Sequence, residues 1–270
     1  MISLGRLSRA ALFLIIAGAV SCSVKEDRSV CPCYVTLDFA PAVEAGLGDA
    51  SLLVGNRSGM AVEDVDISSL VDGTLEVAVP RGRTGFSAVF GEEGYDLHGD
   101  TLHFDGTQTP GRLFVWSEYA PCDDDAYSCR VQPHKQFCDI EVVLVQDEQS
   151  PLPVYEVELK AGCNALSLFD LEAVDGNLSS SAVYDAASLS YRLRIPRQKP
   201  GPLVLGLYDT SLPVRIPLML LDISRELETR GYDWGKPDLD DIRIVIDRQA
   251  VKFSVNIVGW TSENSIHVEI

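Results

Sequence analysis

The feature that most restricts this chain is a two-residue rhythm. From Cys33 onward, β-branched and aromatic residues alternate with polar ones in short runs. An amphipathic helix needs apolar residues at a period near 3.6, whereas a half-buried strand shows period two. The candidate strands are 34–40, 51–55, 74–80, 85–90, 112–117, 137–145, 154–159, 165–169, 190–195, 203–208, 242–247 and 251–258. Gly, Pro, Asn and Asp separate them at short, irregular intervals, which suits antiparallel sandwiches better than a parallel α/β sheet. Residues 247–250 are placed to turn a late hairpin. Two short helices are expected, at 62–71 and 218–230; the second puts Leu220, Ile223 and Leu227 on one face, with Pro217 before it and Gly231 after it.

Apolar residues make up 46% of the chain, enough to build a core and to exclude global disorder. A length of 270 residues accommodates two ordinary domains. The stretch Gln146-Asp147-Glu148-Gln149-Ser150-Pro151-Leu152-Pro153 is polar and Pro-rich between two strong strands. The expected division is an N-terminal β-sandwich at 34–148 and a C-terminal β-sandwich at 149–270.

The start of the chain reads as an address. Arg6 and Arg9 precede a short apolar run, 10–20, and then comes Ala19-Val20-Ser21-Cys22. The run is too short to span a bilayer and has the flanks of a signal peptide. Its end looks like a bacterial lipobox, so residues 1–21 are expected to be removed. Cys22 is then expected to carry diacylglycerol on sulfur and an N-acyl chain, with 22–33 as a lipidated linker. Each buried CH₂ contributes about 0.8 kcal/mol, so several acyl chains hold firmly. The whole chain carries 40 Asp+Glu against 22 Lys+Arg, a formal charge of −18, and losing Arg6 and Arg9 makes the body more acidic still, so anionic headgroups cannot hold it. The lipid has to do so. Lys25, Glu26 and Asp27 just after the anchor fit either a surface-export signal or a plain solvated linker.

Six further cysteines remain: Cys31, Cys33, Cys122, Cys129, Cys138 and Cys163. Their even number in an exported protein makes all six disulfide candidates. Cys122 and Cys129 could close a local loop. Cys33 shares a face with Val35, Leu37 and Phe39, and Cys138 with Ile140, Val142 and Leu144, so both are expected in a core, and a Cys33–Cys138 bridge is one conceivable pairing. Cys31-Pro-Cys33 is too tightly spaced for a zinc knuckle, and no metal site or cofactor is expected. The sequence lacks a G-x-S-x-G elbow, a Walker A loop and an H-E-x-x-H helix. His98, His103, His134 and His267 show no ligand spacing, and the acid runs at 123–125 and 238–241 lack the register of a calcium loop. No catalytic residue, enzymatic activity or small-molecule substrate is therefore expected, and the acidic balance argues against nucleic acid.

The segment Cys22-Ser23-Val24-Lys25-Glu26-Asp27-Arg28-Ser29-Val30-Cys31-Pro32-Cys33-Tyr34-Val35-Thr36-Leu37-Asp38-Phe39 resembles the opening of the fimbrillin-associated anchor lipoproteins of Bacteroides-type bacteria. The stretch from His134 to Val142 is similar to the strand that ends that family's first domain. The stretch from Ile242 to Trp260 is similar to its C-terminal hairpin. The resemblance implies an all-β protein of two tandem transthyretin-like antiparallel β-sandwich domains with one or two short surface helices. It also implies a fimbrial (pilus) anchor or assembly subunit at the outer membrane, joining the stalk to the cell and limiting its length in some members. Stalk or accessory subunits would be its partners.

Such fimbriae resemble strand-exchange polymers, in which a subunit loses its first strand and a neighbour's C-terminal strand fills the groove. Removing the first strand here would cut the body from Cys22, so an anchor must keep 34–40. A candidate donor strand ends the chain, where Ile266, Val268 and Ile270 share one face. The commoner arrangement for such a terminal segment is an ordinary edge strand of its own domain. The alternative to an anchor is a surface lipoprotein that binds glycan or host protein, an adhesin or tip subunit, for which Tyr95, Trp116 and Tyr119 are the aromatics to inspect.

Overall fold

The computed structural model describes residues 31–106, 109–145, 155–210, 214–247 and 252–260. Among these the strands run, in chain order, β1 Cys33–Asp38, β2 Ala50–Asn56, β3 Gly59–Val65, β4 Thr74–Val79, β5 Thr84–Phe90, β6 Asp96–His98, β7 Thr101–His103, β8 Phe114–Ala120, β9 Ala126–Arg130 and β10 His134–Lys135. There follow β11 Phe137–Val145, β12 Tyr155–Ser167, β13 Ala173–Ser181, β14 Val183–Asp185, β15 Ser190–Pro196, β16 Leu203–Asp209, β17 Ile216–Asp222, β18 Asp241–Asp247 and β19 Lys252–Val258. Two short helices accompany them, α1 Ala40–Glu44 and α2 Ser224–Thr229.

The first sandwich faces the sheet β4-β1-β9 against the sheet β10-β8-β5-β2-β3. Its core gathers Val35, Leu37 and Phe39 with Leu52, Phe86, Phe90, Trp116 and Val131. The second sandwich faces β14-β15-β11-β18-β19 against β17-β16-β12-β7-β6, with β13 also on β12. Its core takes the inward sides of β11, β12, β15, β16 and β18. Pairing is mostly antiparallel, and the parallel pairs are β1 with β9 and β11 with β18. All-β architecture in two sandwiches is as the alternation predicts.

Three expectations need correction. The boundary at 148 lies outside the described residues, but the strands on both sides of it, β11 and β12, belong to the second sandwich. The chain changes sandwich between β10, paired with β8, and β11, paired with β15 and β18. The polar stretch 146–153 thus connects the two sheets of one sandwich. Second, residues 218–222 are not helical: they lie in β17, an edge strand paired with β16, which turns Met219 and Leu221 inward. Only 224–229 coil into α2, with Leu227 in the core. Third, Val62 lies in β3, followed by a short 3₁₀ turn at Ile67–Ser69. Pairing to a neighbouring strand satisfies every backbone group along one edge, and that outweighs the weak helical pattern.

The sandwiches are interlocked. The hairpin β6–β7 arises between β5 and β8 of the first, yet β7 pairs with Ala165–Ser167 of β12. It continues along the β12 edge where β16 leaves off at Ala161. A third core, containing Leu53, Val89, Leu102, Val115, Phe137, Leu166 and Leu168, fills the space between.

Candidate interaction surfaces

The first strand is the feature on which a strand-exchange role turns. β1 lies between β4 and β9 and is hydrogen-bonded on both edges. Cys33, Val35, Leu37 and Phe39 are wholly buried. Fully burying a large apolar side chain contributes about 1.5–3 kcal/mol, so three such side chains make removal of β1 costly. Its ends are tied as well. The Tyr34 N–H donates to Asp125 O at 2.9 Å, and Val131 N–H to Asp38 O at 2.8 Å. Arg81 donates from Nε to Cys31 O at 3.2 Å and from its terminal nitrogens to Asp123 O and the Asp125 carboxylate, holding the chain as it enters the strand.

The cysteines divide between the two cores. Cys33, Cys122 and Cys129 belong to the first, and Cys138 to the second, so the structure does not bring Cys33 and Cys138 together. Cys163 is buried on β12, where its N–H donates to Gln198 Oε1 at 3.0 Å. Cys31 is exposed, and no disulfide joins any of these six in the structure. Residues 126–130, expected as part of a loop, form β9. Cys22 and the candidate donor residues Ile266, Val268 and Ile270 lie outside the described residues, as does His267.

A polar knot marks the junction of the sandwiches. Lys135 is wholly buried, yet its Nζ donates to Leu239 O at 2.9 Å and to Asp241 Oδ1 at 2.5 Å. The ammonium also sits over the rings of Phe137 and Trp260, at 4.7 and 4.5 Å from their centroids. Trp260 donates its N–H to Asp240 Oδ1 at 3.2 Å, so the chain returns to the junction after β19. Arg197 donates to Gln136 Oε1 at 2.7 Å and to the carbonyls of Trp234, Lys236 and Pro237. Asp238 accepts from the Lys135 N–H at 2.7 Å and meets His134 Nδ1 at 3.1 Å. Burial alone would raise its carboxyl; the hydrogen bonds and charges of His134 and Lys135 outweigh burial and hold it below the ordinary range. The acid run 238–241 is thus engaged with the chain's own cations, and the His134–Asp238 pair, 104 residues apart in sequence, left no local signal.

Two surfaces remain open to partners. Edge strand β17 turns Ile216, Leu218 and Leu220 to solvent, with Leu220 60% exposed. A cleft of about 680 Å³ lies beside α2, lined by Tyr232, Trp234, Asp175, Lys199 and Glu228 among others. The aromatics flagged in the sequence divide: Tyr95 and Trp116 are core residues, while Tyr119 is partly exposed beneath Arg83. Tyr232 and Trp234, whose rings are 4.6 Å apart, escaped notice because a Tyr-x-Trp pair in a Gly-rich turn has no periodicity to betray it.

Solved structures with this arrangement exist. A candidate polysaccharide-binding protein from Bacteroides thetaiotaomicron superposes with a TM-score of 0.61 at 16% identity, over 86% of this chain and 99% of its own. A candidate adhesin from the same species gives 0.57 at 14%, over 86% and 97%. The fimbrial anchor protein Mfa2 from Porphyromonas gingivalis gives 0.53 at 15%, over 85% and 98%. This chain has their fold. At such identities the likeness speaks for the fold, and here it agrees with the resemblance seen in the opening segment. No protein-family model and no curated protein matches the chain.

Proposed function

We propose that the chain is a structural, non-enzymatic fimbrial subunit, tethered through acylated Cys22 to the outer membrane, that joins a fimbrial stalk to the cell surface. The observation that carries this reading is the retained first strand. β1 fills its own groove from within, paired on both edges and buried on one face. A subunit in that state offers no groove on that side for another subunit's strand, as a terminal position requires. A protease cutting at basic residues finds none between Arg28 and Arg57, so it could not separate β1 from β2. The apolar edge of β17 is suited to a β-rich neighbour. Mfa2, a fimbrial anchor, has the same fold.

The test is capture of the tagged full chain from outer membranes, with identification of what copurifies, beside the Cys22→Ala variant. The expected outcome is fimbrial subunits on the wild-type protein and release of the variant from the membrane fraction. A membrane-bound variant with no other anchor would remove the tether.

A second reading has its own observation. The cleft at Tyr232 and Trp234 combines an aromatic ring with carboxylates and an ammonium, a lining suited to a sugar, and one structure sharing the fold is described as polysaccharide-binding. Glycan-array binding without copurifying fimbrial subunits would favour it.

A further inference from the structure

We infer that Cys33 and Cys122 form a disulfide in the exported protein, a clasp that fastens the first strand across the sandwich. The inference deepens the anchor reading and rests on it for its purpose, although not for its chemistry. Cys33 opens β1, in the sheet β4-β1-β9, and Cys122 stands two residues beyond β8, in the facing sheet. Both are buried in one core, at 0% and 1% exposure, and Cys33 lies close enough to help push the Cys122 thiol up. Cys122 has φ +46, a left-handed conformation that L-residues seldom adopt. That backbone is held by Gly82 N–H donating to Cys122 O at 3.1 Å, and Thr84, also buried, lies against the thiol. Cys129 faces the same core but stands level with Leu37, about 13 Å along the strand from Cys33 at ~3.3 Å per residue.

Position gives the bond its purpose. Pull on the fimbria travels to a lipid on Cys22 and enters the folded body at β1. Without a covalent link, the hydrogen bonds and apolar contacts of β1 carry that pull alone. A bond at the strand's first residue passes it to the end of β8 in the facing sheet.

The chemistry balances with an external disulfide, either glutathione disulfide or an exported thiol–disulfide oxidase. The Cys122 thiolate attacks that disulfide and expels one thiolate. The Cys33 thiolate then attacks the mixed disulfide and expels the second. Two protons leave Cys33 and Cys122, and two electrons pass to the oxidant. Burial, with Cys33 beside it, pushes the Cys122 thiol up to about 11, so the closed sandwich reacts slowly and the bond is made as the two sheets close.

The test uses the full chain purified from outer membranes, carrying Cys31→Ser so that one cysteine remains in its peptide. The protein is alkylated in denaturant and digested at Lys, Arg and before Asp. The expected product links residues 29–37 to residues 113–122. Recovery of Cys33 and Cys122 as alkylated thiols, or of Cys122 joined to Cys129, overturns the inference. Hydrogen exchange at the β1 amides is expected to be at least tenfold slower in the oxidised than in the reduced protein. Equal rates would show that the bond does not secure the strand. Neither measurement involves a fimbria, so a bond found in a protein that captures no fimbrial subunit would leave the clasp standing and sink the anchor reading.

Discussion

At the residue scale, the junction depends on charges placed where an apolar core would ordinarily exclude them. Lys135 is tolerated because Asp241, a backbone carbonyl and two aromatic faces replace the water it loses. Removing one member of a buried pair strands the other, at a cost of about 3–5 kcal/mol. Lys135→Ala is therefore expected to lower unfolding stability by roughly that amount in denaturant melts, and a loss below ~1 kcal/mol would show the pair to be idle. Asp238 gives the junction a pH dependence. Its folded carboxyl lies below the usual value of 3.8, so it favours the folded state above that value and loses this effect as pH falls through its folded pKa. Stability measured from about pH 5 down to about pH 2, a range that brackets an ordinary carboxylate, should fall more steeply in the wild type than in Asp238→Asn. Identical slopes would remove Asp238 from the acid response.

At the element scale, β1 and the C-terminal segment make opposite predictions. β1 contributes to the core of its own sandwich, so deleting it should unfold the first domain. Deleting residues 262–270 should leave a folded lipoprotein with an unchanged melting curve, while fimbriae detach from cells bearing it. Unchanged attachment would remove the donor role, and a collapsed fold would make the segment a strand of its own domain. The strands that the sequence revealed are those with one wet and one dry face: in β11 the residues Cys138, Ile140, Val142 and Leu144 all point inward, as their alternation says. Those it concealed lack that contrast. β3 is mostly exposed on both faces, β6 and β7 are three residues each, and β12 loses its rhythm at the irregular pairing around Gly162, so it reads as two strands. β17 misled for another reason: its outward residues Ile216, Leu218 and Leu220 are themselves apolar, which erases the period-two contrast and leaves a helical one. The junction site was illegible because its members come from β10 and from the turn before β18, about a hundred residues away.

At the scale of the whole molecule, the two sandwiches are built to move as one. Besides the exchanged hairpin β6–β7 and the shared core around Leu102 and Phe137, Phe169 of the second sandwich enters a slot made by Gly55 on β2 and Gly85 on β5. A Cβ at Gly55 would stand 2.8 Å from the Phe169 ring, and one at Gly85 2.9 Å from it, so neither strand accepts even alanine without displacing the ring. Overfilling a packed site costs about 1–3 kcal/mol. The double variant Gly55→Ala, Gly85→Ala should therefore expel Phe169, and calorimetry should resolve two unfolding transitions where the wild type gives one. Phe169→Ala should weaken the same coupling with no steric clash, which separates loss of the slot from strain within β2 and β5. A single sharp transition in both variants would mean that the hairpin and shared core suffice without the ring. For a protein proposed to stand between a membrane and a fimbria, this coupling matters: a pull received by the second sandwich reaches β1 only if the junction holds, and the glycine slot, the buried Lys135 and the exchanged hairpin join the halves at three separate places.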